Sequence, residues 1–405
     1  MSTKTGARFL DRSTPPHILT LILLAGMAAL SMNMFLPSLP GMTEYFRTDY
    51  RLMQLSVALY LAMNAVLQIV VGPLSDLFGR RPVVMWGNFL FLCATLGCIF
   101  APTVEMFLFF RMGQAVIVTG MVLGRAIVRD MVPTAEAASA IAYVTMGMAI
   151  VPMVAPALGG ILDTWFGWKA TFWAFFIFGC AITWLCWRDL GETAAPSRGS
   201  FRRQLRESPE LMKSPRFWGY SASAAFASGA FFAYLGGGPF VGDQVFGLTP
   251  EWVGILFGAP AIGYLAGNYL SGRFAARIGI NRMALAGAVV NMAGVAVSLL
   301  VFYLGAGTAY SFFGFMVLVG LGNGMVIPNA IAGALSARPR LAGTASGLSG
   351  AIMIGGGAAL SALAGAMLSV ETGAFPLLWT MLATASCGMI STLAVIRREG
   401  ALARR

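Results

Sequence analysis

The chain has 405 residues, 58% of them hydrophobic and 11% charged, against about 25% charged in an ordinary soluble protein. So few charges cannot coat a water-exposed surface of this length, which excludes a soluble globular fold. The net charge of +11 raises nucleic acid as a partner, and the placement of the basic residues decides that question.

Apolar runs long enough to cross a bilayer fall at about 17–38, 53–74, 82–100, 104–127, 137–162 and 169–187. They resume at about 217–242, 251–271, 283–303, 309–333, 342–368 and 374–396. The runs are continuous rather than alternating, so they predict helices and not the strands of an outer-membrane barrel. The first run exceeds a signal-peptide core and shows no cleavage site, so it is read as the first span. The expected fold is all-α, with twelve transmembrane helices in two pseudo-symmetric six-helix bundles. Residues 1–187 form the first bundle, 188–216 a cytoplasmic linker, and 217–405 the second. The linker carries seven Lys/Arg and four Asp/Glu.

With the N-terminus in the cytoplasm, 23 of the 27 Lys and Arg fall on the inner side and 3 on the outer. Only Arg111 remains. This asymmetry places both termini inside by the positive-inside rule. It also assigns the net charge to the anionic inner leaflet, so no nucleic-acid partner is expected. The five cysteines all lie in apolar runs, without CxxC pairs, and His17 is the lone histidine. No metal or other cofactor is therefore expected, and small hydrophobes are the simplest reading of the cysteines.

Five of seven glycines between Gly72 and Gly124 recur 200 residues later, at Gly272, Gly279, Gly287, Gly320 and Gly324. Two similar halves describe a carrier built from parallel repeats, with its site between them at mid-membrane.

The loop after the second run reads GPLSDLFGRRP. Gly72 and Gly79 permit close packing and a tight turn, while Asp76, Arg80 and Arg81 bring opposite charges to the inner mouth. Such a pair is a poor stabiliser but a serviceable two-state latch. The loop resembles the signature of the major facilitator superfamily. FRMGQAVIVTGMVLGRAIVRDMV, with Arg111 and Gln114 in an RxxQ element, is similar to the fourth helix of that family's Bcr/CflA drug-resistance branch. MGMAIVPMVAPALGG, with Pro152, Pro156, Gly159 and Gly160, resembles the fifth-helix motif of drug/proton antiporters. In the second half, FASGAFFAYLGGGPF, which contains Tyr234, and PNAIAGALSARPR look like the same branch.

The resemblance covers essentially the whole chain. It implies alternating access, export of small amphipathic drugs across the bacterial inner membrane, the proton gradient as energy source and a monomer. It also implies a charge network of Asp76, Arg80 and Asp130 at the inner gate. The equivalent second-half position is Ala276, so the inner gate is expected to be stronger on the first side.

Arg111 lies about 10 Å inside its helix at 1.5 Å per residue. A charge at that depth is costly and marks a functional position. Asn33, at matching depth in LSMNMFLPSLP, is expected within hydrogen-bonding reach of Arg111 if the first and fourth helices touch. The branch carries an aspartate at this position, the usual proton carrier, and an amide does not titrate. No other Asp or Glu falls mid-membrane; Asp163 and Asp243 are the conceivable substitutes. A cavity whose one embedded charge is Arg111 favours neutral or anionic substrates over lipophilic cations.

Tyr60, Asn64 and Gln68 share one helical face, as do Tyr264 and Asn268. With Asn323 and Asn329, these are either substrate contacts or interhelical glue. No catalytic constellation and no GxxxxGK[ST] loop is present, so no enzyme activity is expected. An uncoupled facilitator and a non-transporting receptor are the alternatives.

Overall fold

A computed structural model describes residues 8–131, 151, 154–193, 211–337 and 342–403, nearly all of them helical. Its first four membrane-length helices are α1 (Ile18–Tyr45), α2 (Tyr50–Phe78), α3 (Arg80–Phe100) and α4 (Val104–Val128). The helical stretch 154–166 is α5, the described part of the predicted fifth span. Next come α6 (Lys169–Asp189), α7 (Pro215–Val245), α8 (Pro250–Ile278), α9 (Ile280–Tyr303), α10 (Ala309–Ser336), α11 (Gly347–Met367) and α12 (Phe375–Ala401). Eleven of these are long and apolar enough to span a membrane. Pro152, most of the linker, Arg338 and Arg340 lie outside the described residues.

Local chemistry sets the helix ends. Asp49 accepts from the Arg51 amide at the start of α2, Thr103 caps α4, and Ser214 caps α7. Thr308 and Ser311 form a reciprocal capping box on α10. The turns from α2 to α3 and from α8 to α9 each hinge on a glycine with positive φ: Gly79 at +94° and Gly279 at +88°. These are the 200-residue counterparts seen in the sequence, and only glycine adopts that backbone without strain. Buried hydroxyls such as Thr95, Thr384 and Thr392 donate to carbonyls one turn back, which satisfies them where water is absent.

In the first half, α3 packs on α4 and α6, and α1 packs on α4 and α6. In the second half, α7 packs on α10, α11 and α12, while α10 lies between α8 and α9. The halves meet chiefly along α2 and α11. α7 is central, with 83% of its most apolar stretch buried against protein, compared with 33% for α6. Outward-facing Trp86, Phe109, Ile177 and Trp184 are exposed, as expected of a lipid-facing surface. Cys98 and Cys186 are buried, whereas Cys93, Cys180 and Cys387 face outward.

The N-terminal segment is tied to the end of α6. Asp189 is fully buried and accepts from the Leu10 and His17 amides at 2.7 and 2.8 Å and from Thr20 Oγ1 at 2.6 Å. A carboxylate at the N-terminus of α1 also meets the positive end of the helix dipole. The end of the bundle holding this contact is called the termini end below, and the opposite end the far end.

Candidate functional site

Irregular backbone marks the centre of the first half. α4 passes through a 3-10 turn at Ala115–Ile117, and α1 does so at Leu36–Ser38. Non-helical geometry at membrane depth requires protein around it to satisfy the freed backbone groups. Arg111 sits between these breaks, 1% exposed. Its Nη1 donates to Gln114 Oε1 at 2.6 Å and to Ser31 Oγ at 3.2 Å, and its Nη2 donates to Ser31 O at 2.8 Å. The guanidinium carbon lies 4.1 Å from both the Phe35 and Tyr60 ring centroids. The planar cation is thus sandwiched between two π-faces.

Gln114 Nε2 in turn donates to Thr95 Oγ1 at 2.8 Å. One network therefore joins α1, α2, α3 and α4. Among the described residues every partner of Arg111 is neutral. Among the described residues, its Nε and the Tyr60 hydroxyl are buried without a hydrogen-bond partner.

The expected Asn33–Arg111 hydrogen bond is not there. α1 does touch α4, but Asn33 Nδ2 donates to its own helix at Ala29 O, 2.7 Å away. Ser31 and Phe35 are four apart and share the face toward Arg111; Asn33, two residues from each, points elsewhere.

The remaining polar candidates divide into distinct settings. Gln68 Nε2 donates to Asn64 Oδ1 at 2.9 Å, and Gln68 also reaches toward Gly350 of α11. Asn268 bonds the Tyr264 carbonyl of its own helix at 2.8 Å. Asn323 accepts from Asn291 of α9 at 2.9 Å, and Asn329 donates to Ser271 of α8 at 2.7 Å. Both therefore join helices within the second half. Tyr234 is fully buried, stacked on Phe257 with centroids 4.4 Å apart.

The charge cluster forms at the termini end. Arg80 Nη1 lies 2.6 Å from Asp76 Oδ1, Arg80 Nε lies 3.2 Å from Asp130 Oδ2, and Nη1 also donates to Ser75 Oγ. The Arg80 and Arg81 amides donate to the Glu192 carboxylate at 2.8 and 3.2 Å. Arg81 Nη2 reaches Trp187 O at 3.4 Å. These groups belong to the first half and, for Glu192, to the start of the linker, so the cluster braces α2, α3, α4 and the chain leaving α6. The second half has its own counterpart built from other residues. Arg216 Nη2 lies 2.7 Å from Glu399 Oε1, Asn281 Nδ2 donates to Glu399 Oε2, and Tyr220 Oη donates to Asn281 Oδ1 at 2.8 Å. The missing acid at Ala276 therefore does not leave that side without an ion pair.

Gly72 differs from its expected role: a methyl there would meet no atom within 4 Å among the described residues. Gly159 and Gly160 do permit tight packing. A methyl at Gly159 would overlap Met34 O of α1, and one at Gly160 would overlap Pro250 O of α8. Across the same seam, a methyl at Gly254 would overlap Pro156 O.

The sequence profile of the Major Facilitator Superfamily matches residues 21–362. The chain belongs to the major facilitator superfamily. As a member of it, this is a multi-pass membrane transporter and not an enzyme. A chloramphenicol resistance protein of Pseudomonas aeruginosa is 31% identical, over 78% of this chain and 76% of its own. A bicyclomycin resistance protein homolog of Haemophilus influenzae is 27% identical, over 95% and 96%. A crystal structure of a peptide transporter POT has the same fold, with a TM-score of 0.75 at 15% identity, covering 96% of this chain and 98% of its own.

In this superfamily member the residues missed by sequence reasoning are Ser31, Phe35, Thr95, Glu192 and Glu399. Ser31 and Phe35 stand at helical spacing, a signal that was present. Nothing in sequence links Glu192 to Arg80, which it meets across 112 positions.

Proposed function

We propose that this transporter exports small neutral or anionic amphipathic compounds from the cytoplasm by alternating access, with its termini end facing the cytoplasm of a bacterial inner membrane. One observation carries the charge preference: the buried Arg111 guanidinium has only neutral partners among the described residues. In a low-dielectric interior its field disfavours cationic guests and welcomes dipoles and anions. The printed names of the Pseudomonas and Haemophilus relatives support drug efflux. The basic residues concentrated at the termini end support the orientation.

The proton gradient is the proposed energy source, and the chain acts as a monomer. A second reading, an uncoupled facilitator, is favoured by Asn33, whose amide is spent on Ala29 O and carries no proton. Drug accumulation in inverted vesicles, with and without a pH gradient, separates the two. Gradient-dependent accumulation supports antiport; equal accumulation supports the facilitator. A susceptibility panel with wild type, Asn33→Asp and Arg111→Ala tests the charge preference. Resistance to neutral drugs together with new ethidium resistance in Asn33→Asp is expected. Strong ethidium resistance in the wild type would refute the preference.

A further inference from the structure

The two halves meet at the far end through side chains of α2 that reach into the second half. Gln54 is 1% exposed. Its Nε2 donates to Ser361 O of α11 at 2.6 Å and to Ser361 Oγ at 2.8 Å. One turn earlier, Tyr50 Oη donates to Gly236 O of α7 at 3.0 Å, and its ring lies 5.0 Å from that of Phe240. The amide of Gln54 fills a socket walled by backbone: a methyl on Gly236 of α7 or on Gly365 of α11 would collide with it. The ion pairs among the described residues, Arg80–Asp76, Arg80–Asp130 and Arg216–Glu399, each stay within one half.

We propose that Gln54, with Tyr50 beside it, is an uncharged latch that holds the far end closed by hydrogen bonds to the second half. The inference rests on the alternating-access reading above, since a cross-half bond at one end must break when that end opens. Two features make Gln54 suited to this. Its bonds run to a carbonyl and a hydroxyl, so closing the latch desolvates no ion. The glycine walls admit the amide only at one register, so the closed position is discrete and not a sliding contact. Such a latch is insensitive to salt and to pH in the working range. Among the described residues, Tyr50 and, through it, Asp243 at the end of α7 are titratable groups near it.

The test is a distance measurement across the far end. Spin labels go on Thr48→Cys, a half-buried position, and Glu371→Cys, an exposed one, with the five native cysteines replaced by serine, in lipid nanodiscs without drug. Gln54→Ala is expected to raise the open population about tenfold. Gln54→Glu is expected to make closure pH-dependent. The protonated acid still donates to Ser361 O and closes the end at low pH; the carboxylate is repelled by that carbonyl and opens it at high pH. Raising salt from roughly 0.05 to 1 M is expected to leave the parent distribution unchanged.

An unchanged distribution in Gln54→Ala, or a pH-independent one in Gln54→Glu, overturns the latch. A salt-driven opening of the parent overturns its uncharged character. Because the readout needs no substrate, opening in a chain that exports no tested drug would remove the export reading and leave the latch standing.

Discussion

Arg111 is held by geometry more than by charge, and that distinction is testable at single residues. A guanidinium offers a planar fork that bonds Ser31 and Gln114 at once while both faces lie against rings. Lysine keeps the charge but loses the plane and the fork. Arg111→Lys is therefore expected to destabilise the first half by about 1.5–3 kcal/mol, the worth of a bond to a charged group. Ser31→Ala removes only the hydroxyl contact, because the Ser31 carbonyl still accepts, and should cost about 1 kcal/mol. Thermal unfolding midpoints in detergent rank the two, and a Lys variant as stable as wild type would show that charge alone matters. The sequence marked Arg111 because a charge in an apolar run is visible in one dimension. Its partner on α1 was read as Asn33, from depth alone, when depth says nothing about the azimuth of a side chain. Ser31 and Phe35 were legible only once the face of α1 turned toward α4 was known.

At the scale of elements, glycines of the same loop-and-helix motifs do different work. The spacing in GPLSDLFGRRP suggested that Gly72 and Gly79 serve close packing and a tight turn; Gly79 does make the turn, but a methyl on Gly72 would meet no atom within 4 Å among the described residues. The fifth-helix pair is the reverse case, since both glycines bring backbone against backbone on α1 and α8. Substituting alanine should separate them cleanly. Gly72→Ala is expected within about 0.5 kcal/mol of wild-type stability, as for a surface change away from special features. Gly159→Ala must push α5 from α1, an overpacking cost of about 1–3 kcal/mol, with transport reduced in parallel. Vesicle flux normalised to folded protein reads the difference; equal loss at both positions would mean that backbone approach is not what the α5 motif provides. Hydropathy made the spans readable because each run needs only length and apolarity. Which glycine meets a neighbour depends on packing between helices far apart in sequence, and the chain alone does not encode that locally.

For the whole molecule, the two charge clusters at the termini end decide how the halves move. Asp76, Arg80 and Asp130 precede the linker and Glu192 lies near its start, while Arg216 is its last residue and Tyr220, Asn281 and Glu399 follow it. A glutamate at the end of the last helix of the second half, and one just past the last helix of the first, reach the start of the third helix of their half, at Asn281 and at Arg80. The repeat that surfaced as a glycine offset thus reappears as equivalent braces made from different residues. Loop-position matching alone missed the second of them, because Ala276 stands where an acid was sought. Neither brace crosses between halves among the described residues, so each should stiffen its own bundle as a rigid body, and the seam along α2 and α11 should carry the motion. Asp76→Asn and Glu399→Gln then act on separate units. Each is expected to cost about 0.2–1 kcal/mol, discounted because both carboxylates are partly exposed and screened. Their effects on stability should add within about 0.5 kcal/mol in the double variant, as independent sites do. Unfolding in graded denaturant, with the single and double variants compared in the same lipid, measures this coupling. A coupling of 1 kcal/mol or more, on the order found for residues in one network, would mean that the braces communicate through a contact between halves and that the bundles do not rock as independent rigid units.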